Sequence, residues 1–475
     1  MTDAHSGAAA QLDAVLAALE GGRAAALERL FELLRIPSVS TEAAHQADCA
    51  RAADWLAGAL GELGFEARAV PSPAHQAGGH PMVLAHDPNP PANALRVLFY
   101  GHYDVQPVDP IALWDHPPFE PKVETGADRV ARIRARGAAD DKGQVMTFLE
   151  ALRAWKTVSG GFPVNVTVLL EGEEEAGGLS MEPFLEAHRD ALKADIALIC
   201  DTGLWNAETP SIAVSLRGLL GEEVIVRAAD RDLHSGHFGS AARNPIQLLA
   251  SILADLRAPD GSVTLPGFYD GVPETPASVR KSWDALGFSA DAFLGDVGLS
   301  VPAGEADRSP LEQLWARPTA EINGIWGGYT GDGFKTVIPA EASAKLSFRL
   351  VGEQDPDAIR AAFRAHVTER LPADCTAEFK GHGASKGVTV DVERPEMKAA
   401  AAALAAEWGV APALVGMGGS IPVVGQFKRQ LGLESLLVGF GLEEDRIHSP
   451  NETYRLSSFE KGARSWARIL AALAE

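Results

Sequence analysis

The sequence predicts an α/β fold in which helices flank a mixed, largely parallel sheet and a smaller α+β domain is inserted. Short apolar runs, typical of buried strands, alternate with longer stretches of helical periodicity, and this alternation indicates parallel strands covered by helices. Near residue 212 the pattern changes to alternating apolar and polar residues, and the first pattern returns near residue 396. A chain of 475 residues is also long enough for two or three domains.

The first part of the chain supplies most of the predicted sheet. Residues 14–34 and 47–63 have helical periodicity, with Gly21-Gly22 as a candidate break, and residues 65–70 alternate like a strand. Further strands are predicted from apolar or strand-like runs, because a strand buried on both faces is apolar throughout. They cover residues 96–105, 130–135, 164–170 and 196–200, and a strongly periodic helix covers residues 144–155.

The inserted domain is expected over residues 213–390, between two segments, 1–212 and 391–475, of one discontinuous domain. Strands are predicted over residues 214–228 and 342–350, and helices over residues 245–256 and 357–371. Residues 261–310 between them are rich in turn residues and weakly periodic. After it come a helix ending at Trp408, a strand over residues 435–440 and a terminal helix.

The composition excludes several classes of partner. A formal net charge of −22 and a pI near 5.0 would repel nucleic-acid phosphates and an anionic membrane surface. Cys49, Cys200 and Cys375 are odd in number and widely spaced, which fits a reducing compartment without a disulfide framework. The N-terminal stretch lacks the pattern of a signal peptide, and no segment is apolar enough to cross a membrane. We therefore expect a cytoplasmic protein.

Side chains that can bind metals follow several of the predicted strands. His102, Glu175 and Asp201 come at or just after strand ends, His448 follows after a short loop, and Asp140 lies on a strand-to-helix turn. Taken singly, each has an ordinary explanation, since acidic residues are common on loops and a lone histidine is more often structural. The carboxyl ends of parallel strands meet at one edge of a sheet, however, and imidazole and carboxylate groups gathered there suit an ion such as zinc.

Charge counting favours two ions at this edge rather than one. Three carboxylates and a bound hydroxide neutralise two divalent cations, and a carboxylate that bridges ions ~3.5–4 Å apart is a recurring design in hydrolases. The activated water also needs a base. In an extended chain adjacent residues point to opposite sides, so one glutamate can bind metal while its neighbour takes the proton. The residues alone leave the assignment open among Glu173, Glu174 and Glu175.

Eight motifs in order along the chain carry a resemblance to a known family. They are GHYDVQP, RGAADDKG, EGEEEAGG, CDTGLW, DLHSGHFG, KTVIP, GGSIPV and HSPNE. Together they resemble the co-catalytic two-zinc metallopeptidases that include carnosine dipeptidases, glutamate carboxypeptidase, aminoacylase and succinyl-diaminopimelate desuccinylase. The likeness is greatest to the cytosolic dipeptidase branch. It implies the two-zinc exopeptidase type of fold, with residues 1–212 and 391–475 as the catalytic metal-binding domain and 213–390 as a lid and dimerisation domain.

The resemblance also implies a set of ligands. His102 and Asp201 would hold one ion, Glu175 and His448 the other, and Asp140 would bridge the two. Zinc is the expected metal, with manganese or cobalt as alternatives. A cis peptide bond is implied between Asp140 and the next residue, Asp141.

Further roles follow from the same likeness. Glu174 would be the general base, and Asp104 would orient His102. His234 would reach from the partner subunit of a homodimer and polarise the scissile carbonyl, although its pattern alone favours a structural histidine. Arg349, Thr336 and Ser420 would bind the terminal carboxylate of the substrate. For Thr336 and Ser420, an ordinary structural role in a strand or loop is an equal alternative.

The expected function is a metal-dependent dipeptidase that hydrolyses the peptide bond of dipeptides or small peptides with a free C-terminal carboxylate. A metal-bridging hydroxide would attack, with Glu174 as the base. One alternative is an N-acyl-amino-acid deacylase with the same site, and another is a metal-binding scaffold without catalysis. Two departures from the dipeptidase pattern are Glu173, at a position that is often apolar, and the TGDG string before Phe334.

Overall fold

The structure is a computed structural model that describes residues 5–72, 79–419 and 421–475. The strands are β1 Glu66–Val70, β2 Met82–His86, β3 Arg96–His102, β4 Lys122–Thr125, β5 Ala131–Arg134, β6 Asn165–Glu171, β7 Ile196–Ile199, β8 Ser211–Leu216, β9 Gly218–Arg227, β10 Leu233–His234, β11 Thr319–Gly327, β12 Val337–Ile338, β13 Glu341–Leu350, β14 Thr376–Ser385, β15 Val388–Thr389, β16 Ala413–Met417, β17 Ser435–Leu437 and β18 Thr453–Arg455.

The helices follow the same chain-order numbering. They are α1 His5–Gly21, α2 Arg23–Leu34, α3 Gln46–Glu62, α4 Lys142–Ser159, α5 Met181–Ala187, α6 Ser235–Phe238, α7 Pro245–Ala254, α8 Ala277–Asp284, α9 Ala290–Gly295, α10 Pro310–Trp315, α11 Pro356–Glu369, α12 Pro395–Trp408, α13 Pro422–Gln426 and α14 Leu456–Leu473. None of the helices in the described ranges combines the length and the hydropathy required to span a bilayer.

The chain forms two compact units. The first contains Met1–Val214, Val390–Leu414 and Gln426–Glu475, and the second contains Ser215–Thr389 and Val415–Gly425. The segment at 415–425 therefore groups with the insert, whereas the predicted boundaries place it in the outer domain. A backbone contact explains this grouping, since the N–H of Arg217 donates to the carbonyl of Met417 at 3.2 Å.

The first unit is built on a mixed sheet with the strand order β1-β2-β6-β3-β7-β17-β8. Its central strands β6, β3, β7 and β17 are mutually parallel, whereas β1, β2 and β8 pair antiparallel at the two sides. Successive side chains of β3 point to opposite faces. Phe99 stacks on Phe148 of α4 with ring centroids 3.7 Å apart, and Tyr100 meets Phe427 at 5.7 Å. Both faces are thus covered, and the predicted fold class is confirmed.

The register of the parallel strands brings their carboxyl ends to one edge. His102 at the end of β3 lies opposite Glu171 at the end of β6, and Tyr100 lies opposite Ile199 at the end of β7. The loops that carry residues 103–106, 172–178 and 200–204 therefore begin next to one another. This edge is where the sequence analysis expected the candidate ligands to meet.

A small antiparallel sheet, β18-β5-β4, brings the end of the chain to the same region. Thr453 of β18 pairs with Arg134 of β5. The turn after β5 and the loop before β18 are consequently neighbours, even though more than half of the chain separates them.

The second unit contains an antiparallel sheet in the order β11-β13-β9-β14. Leu249 and Ile252 of α7 and Phe363 of α11 are buried in one apolar core with residues of β9 and β13. In the stretch 261–310, which is rich in turn residues and weakly periodic, the structure forms the short helices α8 and α9. The next helix, α10, begins with a capping box in which the Ser309 hydroxyl accepts from the N–H of Glu312 and the Glu312 carboxylate accepts from the N–H of Ser309.

Candidate active site

Asp140 lies between two imidazoles in the first unit. It is carried by the turn that joins β5 to α4, and its peptide bond to Asp141 is cis, as the resemblance implied. One carboxylate oxygen, Oδ1, is 3.0 Å from Nε2 of His102, and the other, Oδ2, is 2.9 Å from Nε2 of His448. Both oxygens of one carboxylate are therefore directed at candidate metal ligands.

Two overlapping groups of side chains around Asp140 have the chemistry of a metal site. The first group is His102, Asp140 and Asp201, and the second is Asp140, Glu175 and His448. Within each group, one potential ligand atom per residue lies within 4.8 Å of the others. The structure thus brings all five predicted ligands together, with Asp140 common to both groups.

Two carboxylates of this cluster, those of Asp201 and Glu175, have fewer hydrogen bonds than buried charges need. The Asp201 carboxylate forms no hydrogen bond or ion pair with the residues that the structure describes, and burial raises its pKa well above the usual range. Glu175 Oε1 is buried without a hydrogen bond and lies 3.2 Å from His448 Nε2. Since an uncompensated buried carboxylate is costly, the donor set fits divalent cations bound between these groups.

Glu174 and Glu175 lie on a 3₁₀ turn, Glu174–Ala176, at the carboxyl edge of β6. The extended conformation predicted for this stretch is wrong, because the chain turns immediately after β6 ends. The Glu174 carboxylate has no hydrogen-bond partner among the described residues. Burial raises its pKa to about 8; the negative charges of Asp201 and Glu175 act in the same direction, and His102 opposes them. A pKa near neutrality suits a group that takes up and returns a proton.

Asp104 contacts both a candidate ligand and the turn that carries another. Nδ1 of His102 is 3.1 Å from the Asp104 carbonyl oxygen and 3.3 Å from Asp104 Oδ1. Donation of the Nδ1 proton here leaves the Nε2 lone pair free for a metal. The other carboxylate oxygen, Oδ2, accepts the backbone N–H of Glu175 at 3.0 Å. The residue is therefore in position to orient both His102 and Glu175.

Glu452 organises the turn that carries Asp140, a role that was not predicted from the sequence. Its two oxygens accept four hydrogen bonds: from the N–H groups of Ala139 (2.9 Å), Asp140 (3.2 Å) and Gly137 (2.9 Å) and from Nη1 of Arg136 (2.7 Å). Both Arg136 and Glu452 are almost completely buried. The available signal was the acidic residue at the end of the HSPNE motif, four positions after His448.

Two more side chains that were not predicted hold the acidic turn. Nε2 of Gln106 donates to Glu175 Oε2 at 2.7 Å. Glu173, which departs from the dipeptidase pattern at a position that is often apolar, is buried and accepts from the N–H of His80 at 2.6 Å and from the N–H and hydroxyl of Ser180 at 3.0 and 2.9 Å. Its contacts fix the turn on either side of Glu174.

The remaining predicted residues belong to the second unit. His234 is exposed; its Nδ1 accepts the N–H of Gly236 at 3.0 Å, and its backbone pairs with Val337 in the short sheet of β10 and β12. The carbonyl of Thr336 accepts the N–H of Ser235 at 3.1 Å, so the two motifs are adjacent. Arg349 lies on β13 and is half-buried. The predicted Ser420 is outside the described residues.

Comparison with known proteins agrees with the resemblance found in the motifs. Residues 98–472 match Peptidase family M20/M25/M40. The chain is similar to the Cys-Gly metallodipeptidase dug1 of Schizosaccharomyces pombe, with 30% identity over 94% of this chain and 95% of the relative. It is also similar to the Beta-Ala-His dipeptidase of Homo sapiens, with 27% identity over 83% of this chain and 78% of the relative.

A solved structure supports the same assignment. The M20 family metallo-carboxypeptidase Sso-CP2 from Sulfolobus solfataricus superposes with a TM-score of 0.80 at 31% identity, covering 94% of this chain and 99% of that one. The eight motifs, the ligand cluster and the extent of these matches lead to one conclusion: the chain belongs to Peptidase family M20/M25/M40.

Proposed function

We propose that this protein is a metal-dependent dipeptidase that hydrolyses the peptide bond of dipeptides or small peptides with a free C-terminal carboxylate. The observation that carries the proposal is the cluster of His102, Asp201, Glu175 and His448 around Asp140 in a member of a peptidase family. The relatives named above are a Cys-Gly metallodipeptidase and a Beta-Ala-His dipeptidase. Their names favour a dipeptidase over an N-acyl-amino-acid deacylase.

The cluster would hold two divalent cations. His102 and Asp201 would bind one, Glu175 and His448 the other, and Asp140 would contribute one oxygen to each. Neutral imidazole and carboxylate ligands suit zinc, with manganese or cobalt as alternatives. Bound cations of this kind would polarise the scissile carbonyl and lower the pKa of the attacking water.

The protein's own groups would move the proton and keep the cluster in place. Glu174 would accept a proton from the attacking water and deliver it to the nitrogen of the leaving amine, as its raised pKa allows. Asp104 would keep His102 in the tautomer with a free Nε2. Glu452 would fix the turn of Asp140 through the backbone N–H groups that it accepts.

Substrate binding is assigned from the motifs. His234, donating from the partner subunit of a homodimer, would stabilise the developing negative charge on the carbonyl oxygen. Arg349, Thr336 and Ser420 would bind the terminal carboxylate of the small peptide. Three free cysteines and an acidic composition support a cytoplasmic location and argue against nucleic-acid and membrane partners.

A metal and substrate screen tests this function. The purified protein is stripped of metal and supplied with zinc, manganese or cobalt. It is then assayed on a panel of dipeptides, each paired with its N-acetylated and its C-terminally amidated form. Hydrolysis of free dipeptides that depends on added metal is expected. Preference for the N-acetylated forms would make the protein a deacylase, and inactivity on the whole panel with every metal would refute both activities.

A further inference from the structure

A cavity of about 490 Å³ in the second unit is rich in positive charge. It lies beside β11, β13 and the start of β9, and the short helices α9 and α10 contribute to its wall. Three guanidinium groups line it, those of Arg217, Arg257 and Arg349, together with a single carboxylate, that of Glu321. The lining therefore carries two more positive charges than negative ones.

One of the three arginines already has its partners. Nη2 of Arg257 donates to Glu321 Oε1 at 2.7 Å, and Nη1 donates to the carbonyl of Ala303 at 3.0 Å. Among the described residues of the lining, this ion pair accounts for the one carboxylate. The excess positive charge of the cavity consequently comes from Arg217 and Arg349.

Neither of these two arginines is neutralised by the residues that the structure describes. Nε of Arg217 donates to the carbonyl of Gly418 at 3.3 Å, which leaves both of its Nη groups available. The side chain of Arg349 has no hydrogen bond or ion pair with any described residue. Burial and the nearby positive charge of Arg349 lower the pKa of Arg217 to about 10.

Strand register explains why the two side chains meet. Arg349 of β13 lies directly opposite Leu219 of β9. Arg217 comes immediately before β9, two positions from Leu219, and both Arg217 and Arg349 line the cavity. Two neighbouring guanidinium groups without a carboxylate partner favour binding of an anion, and a carboxylate fits the planar fork of each guanidinium.

We propose that Arg217 binds the C-terminal carboxylate of the substrate together with Arg349, as the second guanidinium of a two-arginine site. The inference rests on the proposed function, because it takes the carboxylate to be that of a peptide. It adds a residue that the motifs did not assign. Arg217 also contacts Gly418, two positions before Ser420, so it joins the glycine-rich loop to the same site.

The first test compares a dipeptide with its C-terminal amide. In the wild-type protein the free acid is expected to be the better substrate. Arg217→Met is expected to lower kcat/KM for the acid by about 10- to 100-fold, mainly through KM, because a charged hydrogen bond is lost. The value for the amide should stay within about twofold, and Arg217→Lys should retain part of the preference because it keeps the charge.

A matched control removes the ion pair of Arg257 and Glu321, which has no net charge, from the same cavity. The double variant Arg257→Met/Glu321→Gln leaves the charge of the lining unchanged and should preserve the ratio of acid to amide. If Arg217→Met leaves the ratio of kcat/KM for the acid to kcat/KM for the amide unchanged, the role in carboxylate binding is wrong. Melting curves identify a variant that does not fold, in which case Arg217→Lys and Arg217→Gln decide the matter.

A binding measurement separates this inference from the proposed activity. Calorimetric titration uses L-alanine and L-alaninamide, which differ in the carboxylate and need no hydrolysis. Binding of L-alanine alone, lost in Arg217→Met and kept in the double variant, supports the site even if no peptide is cleaved. Equal affinity for the two compounds, or binding of neither, would overturn it, whereas failure of the proposed function is read from the peptide panel.

Discussion

Asp140 Oδ2 lies 2.9 Å from Nε2 of His448, although the two residues belong to different segments of the first unit's sequence. The other oxygen of the same carboxylate faces His102 at 3.0 Å. A carboxylate that meets a histidine on each side is what a shared ligand of two cations requires. The small sheet of β18 and β5 produces this meeting, because it places the end of the chain beside the turn that carries Asp140.

Replacement of Asp140 by asparagine should empty both metal positions together. The amide keeps the size of the side chain but removes the negative charge that both positions share, so metal content should fall from about two per chain to well below one. Elemental analysis after gel filtration measures this. The exposed Asp115→Asn variant serves as the control and should keep its metal, whereas a variant of Asp140 that keeps one full equivalent would contradict a bridging role.

Replacement of Glu174 by glutamine should separate catalysis from metal binding. The amide cannot take up a proton, so kcat should fall by about 10²- to 10⁴-fold, while metal content and melting temperature stay near those of the wild type. Steady-state kinetics and elemental analysis of one preparation give both numbers. Loss of metal in Glu174→Gln would mean that Glu174 is a ligand and that its assignment as base is wrong.

Replacement of Glu452 by glutamine should destabilise the fold and the metal site at the same time. The charge of Arg136 would remain buried without its partner, which costs about 3–5 kcal/mol of the free energy of unfolding. The amide keeps only one of the two acceptor oxygens, and whichever oxygen it replaces, two of the four donors lose their acceptor. Thermal unfolding and titration with zinc measure the two effects.

A double variant controls for the buried charge. In Arg136→Met/Glu452→Gln no guanidinium is left unpaired, so it should be more stable than Glu452→Gln alone while its zinc affinity stays low. Wild-type zinc affinity in either variant would show that Glu452 does not position Asp140.

Asp445 should make stability depend on pH. Its carboxylate is buried, Oδ2 accepts the N–H of Leu442 at 2.6 Å, and Oδ1 has no hydrogen bond. Burial raises its pKa to about 8, so between about pH 4 and pH 8 the folded protein holds a proton that the unfolded chain has lost. The stability that this group contributes is complete below the unfolded pKa and disappears as the pH rises through the folded one.

Asparagine at position 445 does not titrate and keeps an acceptor for Leu442. Relative to the wild type, Asp445→Asn should therefore gain stability from pH 5 to pH 8, by about 1–3 kcal/mol. Chemical denaturation at several pH values measures this gain, with the exposed Glu443→Gln as a control for surface charge. A difference between Asp445→Asn and wild type that is independent of pH would show that Asp445 is ionised in the folded protein.

The sequence patterns predicted the parts of the fold that repeat a simple rule. Apolar runs identified β3, β6 and β7, and the periodic stretch at 144–155 became the interior of α4. The edge where the candidate ligands meet followed from the rule that parallel strands end together. Local patterns failed at residues 214–228, where one predicted strand is divided into β8 and β9 between Leu216 and Gly218.

The parts that were missed depend on contacts between distant residues. Glu452 and Gln106 act through hydrogen bonds to turns elsewhere in the chain, and no periodicity reveals such partners. The choice among Glu173, Glu174 and Glu175 also needed more than alternation, because the chain leaves the extended conformation at this point. The buried contacts of Glu173 with His80 and Ser180 could be seen only once the turn had folded.

The most direct test of the account is anomalous X-ray diffraction from crystals grown with zinc and measured at the zinc absorption edge. Two peaks ~3.5–4 Å apart are expected, one beside His102 and Asp201 and the other beside Glu175 and His448, with Asp140 between them. A single peak, or two peaks that do not share Asp140, would contradict the central claim that one carboxylate joins two divalent ions.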